Sequence, residues 1–169
     1  CTVQAGAGGN LRVGIVAAGI HHYAEKRELT FSYDAPDVRQ IVPSVLSVDG
    51  GELVSIFGEN FGPAGTDVTV SPPGYLICDH TNTSDKLAHV TVQCVSSIGK
   101  RGSGIPIRVK VSTQQSAATA LANISYFPPK ITMVQPYPGK ATKPDRIRIS
   151  GDNLGTTPTF VRVFFNGEK

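Results

Sequence analysis

Ser32-Tyr33-Asp34-Ala35-Pro36 returns as Ser125-Tyr126-Phe127-Pro128-Pro129, an offset of 93 residues. The same offset carries Pro43 onto Pro136, Cys1 onto Cys94, and Gly58-Glu59-Asn60-Phe61-Gly62 onto Gly151-Asp152-Asn153-Leu154-Gly155. Unrelated stretches rarely keep one register over such a length, so the chain reads as a repeat array. A period near ninety is too long for a helical solenoid unit and suits one small all-β domain.

The register sets the expected boundaries. Residues 37–129 form one complete copy, residues 1–36 the last part of a preceding copy, and residues 130–169 the first part of a following one. The chain opens on Cys1 rather than Met and stops at Lys169 after a strand-like run, so both ends are expected to continue in a longer protein.

Composition agrees with strands separated by frequent turns. The 18 Gly and 12 Pro punctuate short runs rich in Val, Ile and Thr, which leaves little room for helix. No run of apolar residues is long enough to span a bilayer, so no membrane contact is expected within the chain. The formal charge of +3 is small and its basic residues are scattered, which gives no reason to expect a nucleic-acid surface.

Alternation places the strands. Val54 and Ile56, like Ile147 and Ile149, point one way while Ser55, Arg148 and Ser150 point the other. Further strands are predicted at Val38 to Ile41, Val68 to Val70, Val90 to Val92, Ile105 to Val111, and around Ile124 and Tyr126. Six or seven short antiparallel strands per copy need two sheets to cover their apolar faces, and a β-sandwich follows.

Gly58 and Gly62 bracket Asn60 directly after a strand, where glycine permits positive φ and the Asn side chain can bond nearby backbone amides. Gly151, Asn153 and Gly155 repeat the pattern. GxNxG, with a Pro some way upstream and a Val-rich strand after it, resembles the IPT/TIG family of immunoglobulin-like domains. The run from Cys1-Thr2-Val3-Gln4 through Gly6, Gly8, Asn10-Leu11, Val13, Ile15 and Gly19 to Phe31-Ser32-Tyr33 is similar to the second half of such a domain. The resemblance covers essentially the whole chain and implies tandem immunoglobulin-like sandwiches of E-set type. Gly74-Tyr75-Leu76-Ile77 departs from it, being longer and richer in Pro before Cys78 than the usual pattern.

The repeat register also accounts for an odd count of 3 Cys. Cys78 and Cys94 fall in one copy and are expected to form a disulfide, whereas Cys1 matches Cys94 and its partner would lie upstream. The bridge would close a short surface excursion and contribute about 3 kcal/mol. Two buried free thiols are the alternative. A disulfide implies an oxidising compartment, and the sequons Asn82-Thr83-Ser84 and Asn123-Ile124-Ser125 are N-glycosylation acceptors that fit it. Extracellular or cell-surface location is the expectation.

Groups able to do chemistry are few. His21 and His22, with Tyr23 and Glu25 nearby, read as a polar loop; as neighbours on a strand they would point to opposite faces and could not easily share a metal, and His80 and His89 lack ordered partners, so no metal site is expected. Asp79-His80 beside Ser84 lacks a nucleophile-elbow motif, and no catalytic residue is assigned. The Gly6-Ala7-Gly8-Gly9 run is not followed by a helix pattern, and Gly99 to Gly104 stands in the same place of the next copy, so it reads as a turn rather than a phosphate loop. No cofactor is expected. Ala35-Pro36 and Pro128-Pro129 leave almost no flexible residues between copies, which predicts semi-rigid coupling.

Taken with the resemblance, these features point to a non-enzymatic array in a large extracellular or cell-surface glycoprotein, such as a receptor ectodomain, cell coat or ciliary appendage. It would act as a spacer and interaction surface for neighbouring repeats and other extracellular proteins. Two alternatives are an accessory carbohydrate-binding module of a secreted enzyme, with Tyr75 and Tyr137 as candidate stacking aromatics, and the TIG module of a transcription factor.

Overall fold

The computed structural model describes residues 2–24, 29–79, 85–135, 146–155 and 162–164. Before Pro36 lie two small antiparallel pairs. Strand β1 (Leu11–Arg12) pairs with β4 (Thr30–Phe31), and β2 (Gly14–Ala17) with β3 (Ile20–Tyr23).

The next stretch folds as a sandwich. Strands β5 (Asp37–Val42), β6 (Val45–Leu46), β7 (Leu53–Glu59), β8 (Val68–Ser71) and β9 (Leu76–Asp79) precede one helical turn, α1 (Asp85–Ala88). Then come β10 (Thr91–Ser96), β11 (Ile105–Pro106), β12 (Arg108–Val111), β13 (Gln114–Gln115) and β14 (Asn123–Tyr126). One layer is a 4-stranded antiparallel sheet of order β5-β7-β10-β9. The other is built from two 3-stranded pieces, β13-β12-β8 and β11-β14-β6, the last pair parallel.

Strict alternation makes the core. Val54, Ile56, Val92 and Cys94 face inward from the first layer, and Val109, Val111, Ile124 and Tyr126 from the second, with Leu46 and Phe61 fully enclosed among them. Val38 and Ile41 both face inward although they are three apart, because a bulge between Val38 and Gln40 resets the phase of β5.

Two expected strands differ in detail. Ile105 to Val111 is not one strand. Ile105 and Pro106 pair with β14, and Arg108 to Val111 pair with β8. Pro106 offers no N–H to continue a ladder, and the chain changes partner at the buried Ile107, whose N–H bonds Ala122 O. The strand expected from Val90 begins instead at Thr91 and runs on to Ser96. Val90 closes α1, its N–H donating to Leu87 O.

Beyond the sandwich, β15 (Lys130–Gln135) pairs with β16 (Arg148–Asp152). Its register reproduces that of β5 with β7. Lys130 opposes Asp152 as Asp37 opposes Glu59, and the ladder skips Thr132 between Ile131 and Met133 as it skips Arg39 between Val38 and Gln40. The early segment corresponds as well, with one residue of slippage. Tyr33 N–H donates to Gly8 O and Asn10 N–H to Ser32 Oγ, as Tyr126 N–H donates to Gly102 O and Gly104 N–H to Ser125 Oγ. Gly8 thus matches Gly102 at an offset of 94 while Tyr33 matches Tyr126 at 93.

Candidate functional site: the junctions at Pro36 and Pro129

The chain passes Pro36 and enters β5 at once. What holds this crossing is the GxNxG turn that ends β7. Asn60 lies in the left-handed region at φ 62°, with Gly62 at φ 81°, and Asn60 Nδ2 donates to Ala35 O at 3.1 Å. The Asn therefore fastens the incoming linker. The bond expected to nearby amides goes instead to a carbonyl 25 residues upstream.

Gly58 differs from the expectation too. It sits inside β7 without a positive φ, and the reason for glycine is closeness. A Cβ there would fall on the Asp37 carbonyl oxygen and press on the Phe61 ring. The second turn has the same construction. A Cβ on Gly151 would fall on the Lys130 carbonyl, Asn153 and Gly155 have φ of 55° and 89°, and Asn153 Nδ2 donates to Pro128 O at 3.5 Å.

Around the first crossing the early segment also touches the sandwich directly. Gly9 N–H donates to Thr113 Oγ1 at 2.9 Å while the Thr113 hydroxyl donates to Gly9 O at 3.3 Å. Gln114 Nε2 donates to Tyr33 O at 2.9 Å, and Ala7 packs against the sandwich core. Thr113 and Gln114 carry no sequence signal, being ordinary polar residues in the β12–β13 turn and at the start of β13. At the second crossing an open cleft of about 760 Å³ lies between the Gly99 to Ser103 turn, Phe127 to Pro129 and the Asn153 to Gly155 turn.

Cys78 and Cys94 are joined by a disulfide with an S–S distance of 2.05 Å. They face each other across β9 and β10. Ser97 N–H donates to Tyr75 O three positions along the ladder, so the cysteines occupy a pair without mutual backbone hydrogen bonds, where strands approach most closely. The bridge closes the segment that holds α1. Cys1 lies outside the described residues.

Asn123 lies half-buried on β14 opposite Pro106, with Nδ2 donating to Ala120 O at 3.4 Å. Asn82, His80, Ser84, Tyr137 and Glu25 fall outside the described residues. His21 and His22 lie not in the expected polar loop but as exposed neighbours on β3, where Val16 and Ile15 pair with them and the Gly14–Ala17 ladder holds the segment extended. Tyr75 is not a free stacking platform. Lys100 Nζ sits 5.3 Å over its ring, and Tyr126 packs beside it at 6.3 Å. Among the described residues no three His, Cys, Asp or Glu converge as metal ligands, and no helix is long and apolar enough to cross a membrane.

What the arrangement offers is therefore a framework of sheet faces, turns and hydrogen-bonded crossings. A search of curated proteins finds no match to the chain. Residues 36–126 match the family model of the IPT/TIG domain, an interval that begins at the first crossing and ends on the last strand of the sandwich. With more than half of its residues inside that match, the chain belongs to the IPT/TIG domain family.

Proposed function

We propose that the chain is a stretch of a tandem IPT/TIG array in a large extracellular or cell-surface glycoprotein, in which the modules act as semi-rigid spacers and protein-interaction surfaces and do no catalysis. Residues 1–36 are the end of one copy, 37–129 a whole copy and 130–169 the start of the next.

One observation carries this reading. The linker clamp recurs atom for atom, Asn60 to Ala35 and then Asn153 to Pro128, beside glycines that admit the Asp37 and Lys130 carbonyls. Two crossings built alike support a chain of beads held at set angles. The Cys78–Cys94 bridge supports an oxidising compartment, and the sequons at Asn82 and Asn123 agree with it.

An antibody raised against residues 37–126 tests the proposal on cells that make the parent protein. Staining of intact, non-permeabilised cells or of their surface appendages is the expected result, with hexosamine on peptides containing Asn82 or Asn123. Nuclear staining overturns it in favour of the transcription-factor reading. Copurification with a glycan-processing enzyme that loses glycan binding on removal of the module overturns it in favour of the carbohydrate-binding one.

A further inference from the structure

The turn between β12 and β13 faces away from the core, yet it makes the most specific polar contacts at the first crossing. Thr113 exchanges two hydrogen bonds with the backbone of Gly9, and Gln114 reaches the carbonyl of Tyr33. All three bonds are to main chain. A surface of this kind reads the backbone of a turn where no side chain intervenes.

The turn it meets is built to be read that way. Gly8 is buried at φ 106°, and a Cβ on it would come within 3.1 Å of Ser112 Oγ. A Cβ on Gly9 would stand 3.3 Å from the Gln114 side chain. On the other side, a Cβ on Gly62 would meet Thr66 Oγ1 of the sandwich at 2.6 Å and would also lie 3.1 Å from the Ala7 Cβ. Side chains are excluded on both partners, and backbone polar groups meet polar side chains in the space so cleared.

We propose that Gly62 and the Ser112 to Gln114 turn form a docking surface for a glycine-rich turn of the preceding module, and that this contact, with the Asn60 clamp, locks the first junction as one rigid body. The partner it fits has glycine at two consecutive positions. The corresponding turn of the complete copy is different. It places Ser103 where the first has Gly9, and the Ser103 hydroxyl lies 3.3 Å from Ser125 Oγ within its own module. A side chain at the Gly9 position has to displace the Gln114 side chain, so the surface favours the turn that carries glycine there over one that carries Ser. Naming the partner a preceding module rests on the proposed array, whereas the contacts themselves lie inside residues 2–126, so the exchange test fails or succeeds apart from that reading.

Hydrogen exchange and ¹⁵N relaxation on the labelled full chain test it. In the wild type the Gly9 amide is protected, and residues 8–23 report the same overall tumbling as residues 37–79. Thr113→Ala removes both bonds and lowers Gly9 protection roughly fivefold to tenfold, while Thr113→Ser, which keeps the hydroxyl, retains it. Gly9→Ser, which copies the other turn, also releases the segment, visible as faster local motion at residues 8–23 with the chemical shifts of β7 and β10 unchanged. Free exchange of Gly9 in the wild type overturns the lock. So does unaltered protection in both Thr113→Ala and Gly9→Ser. If β7 and β10 shift in Gly9→Ser, Thr113→Ala alone decides, because its side chain is exposed and outside the core.

Discussion

The carbonyl oxygen of Asp37 occupies the space that a side chain on Gly58 would need, and the Phe61 ring closes the same space from the other side. Strands β5 and β7 meet there next to their bulge, and Gly58 N–H donates to Val90 O. Gly58→Ala therefore has to push these strands apart or displace a fully buried ring. We expect it to cost about 2–3 kcal/mol, read as a lower urea midpoint at unchanged slope. Asn60→Gly, which loses one exposed hydrogen bond and keeps a residue suited to φ 62°, should cost about 1 kcal/mol or less. Equal losses in the two variants would contradict the steric role given to Gly58.

The pairing of layers was readable from alternation because each strand has one wet face. Val54 and Ile56 against Ser55 needed nothing else, and the GxNxG turn announced itself by its glycines. The reason for Gly58 was not readable. Positive φ and close approach both demand glycine, and only the position of the Asp37 carbonyl separates them. The break at Ile107 was hidden because Ile105, Ile107, Val109 and Val111 alternate without a fault, although Pro106 inside the run was the available clue. Thr113 and Gln114 were invisible, since their partners are backbone atoms 104 and 81 residues away.

Reduction should show the worth of the Cys78–Cys94 bridge. It encloses a short loop, with a sequence separation of 16, and restricts the unfolded chain accordingly. The paired Cys78→Ala and Cys94→Ala variant should lose about 3 kcal/mol, and reductant should lower the urea midpoint of the wild type while leaving the variant unmoved. The non-reduced chain should be lighter than the reduced one by two hydrogens. Quantitative alkylation of both thiols without reductant would rule the bridge out.

Two tyrosines at matching positions make opposite forecasts. Tyr33 OH donates to Gln4 O at 2.7 Å, whereas the OH of Tyr126 is buried without a partner among the described residues. Tyr33→Phe should loosen the early segment by about 1 kcal/mol, measured as faster exchange of the Tyr33 amide, while Tyr126→Phe should be neutral or stabilising by up to about 1 kcal/mol.

Alkali separates the two further. Burial raises the Tyr126 pKa above the ordinary tyrosine value of 10.0, helped by Tyr75 and Glu52. The folded chain therefore holds this proton more tightly than the unfolded one. Its contribution is complete below the unfolded pKa and is lost as pH climbs through the folded one. Between about pH 8 and about pH 11, the urea midpoint of the wild type should fall more than that of Tyr126→Phe. Parallel curves would show that the ring titrates alike in both states.

The two matching hairpins give a last test of which apolar residues serve the fold. Leu53, Val95 and Ile77 form one outward row across β7, β10 and β9, exposed by 60%, 43% and 69%. Arg146 stands at the Leu53 position of the next hairpin, Gln135 at that of the exposed Val42, and Thr2 at that of Val95. At this offset polar residues stand at the Leu53, Val42 and Val95 positions. Leu53→Arg should change stability by less than about 0.5 kcal/mol. Ile107→Ala, at a fully buried position where the chain changes sheets, should cost about 2–5 kcal/mol. The exposed Ile77→Ala provides the control for a similar truncation outside the core, and it should behave like Leu53→Arg. A large loss for Leu53→Arg in urea unfolding would mean that the row packs against another segment of the chain in solution, and that the outer face of this sheet is not free.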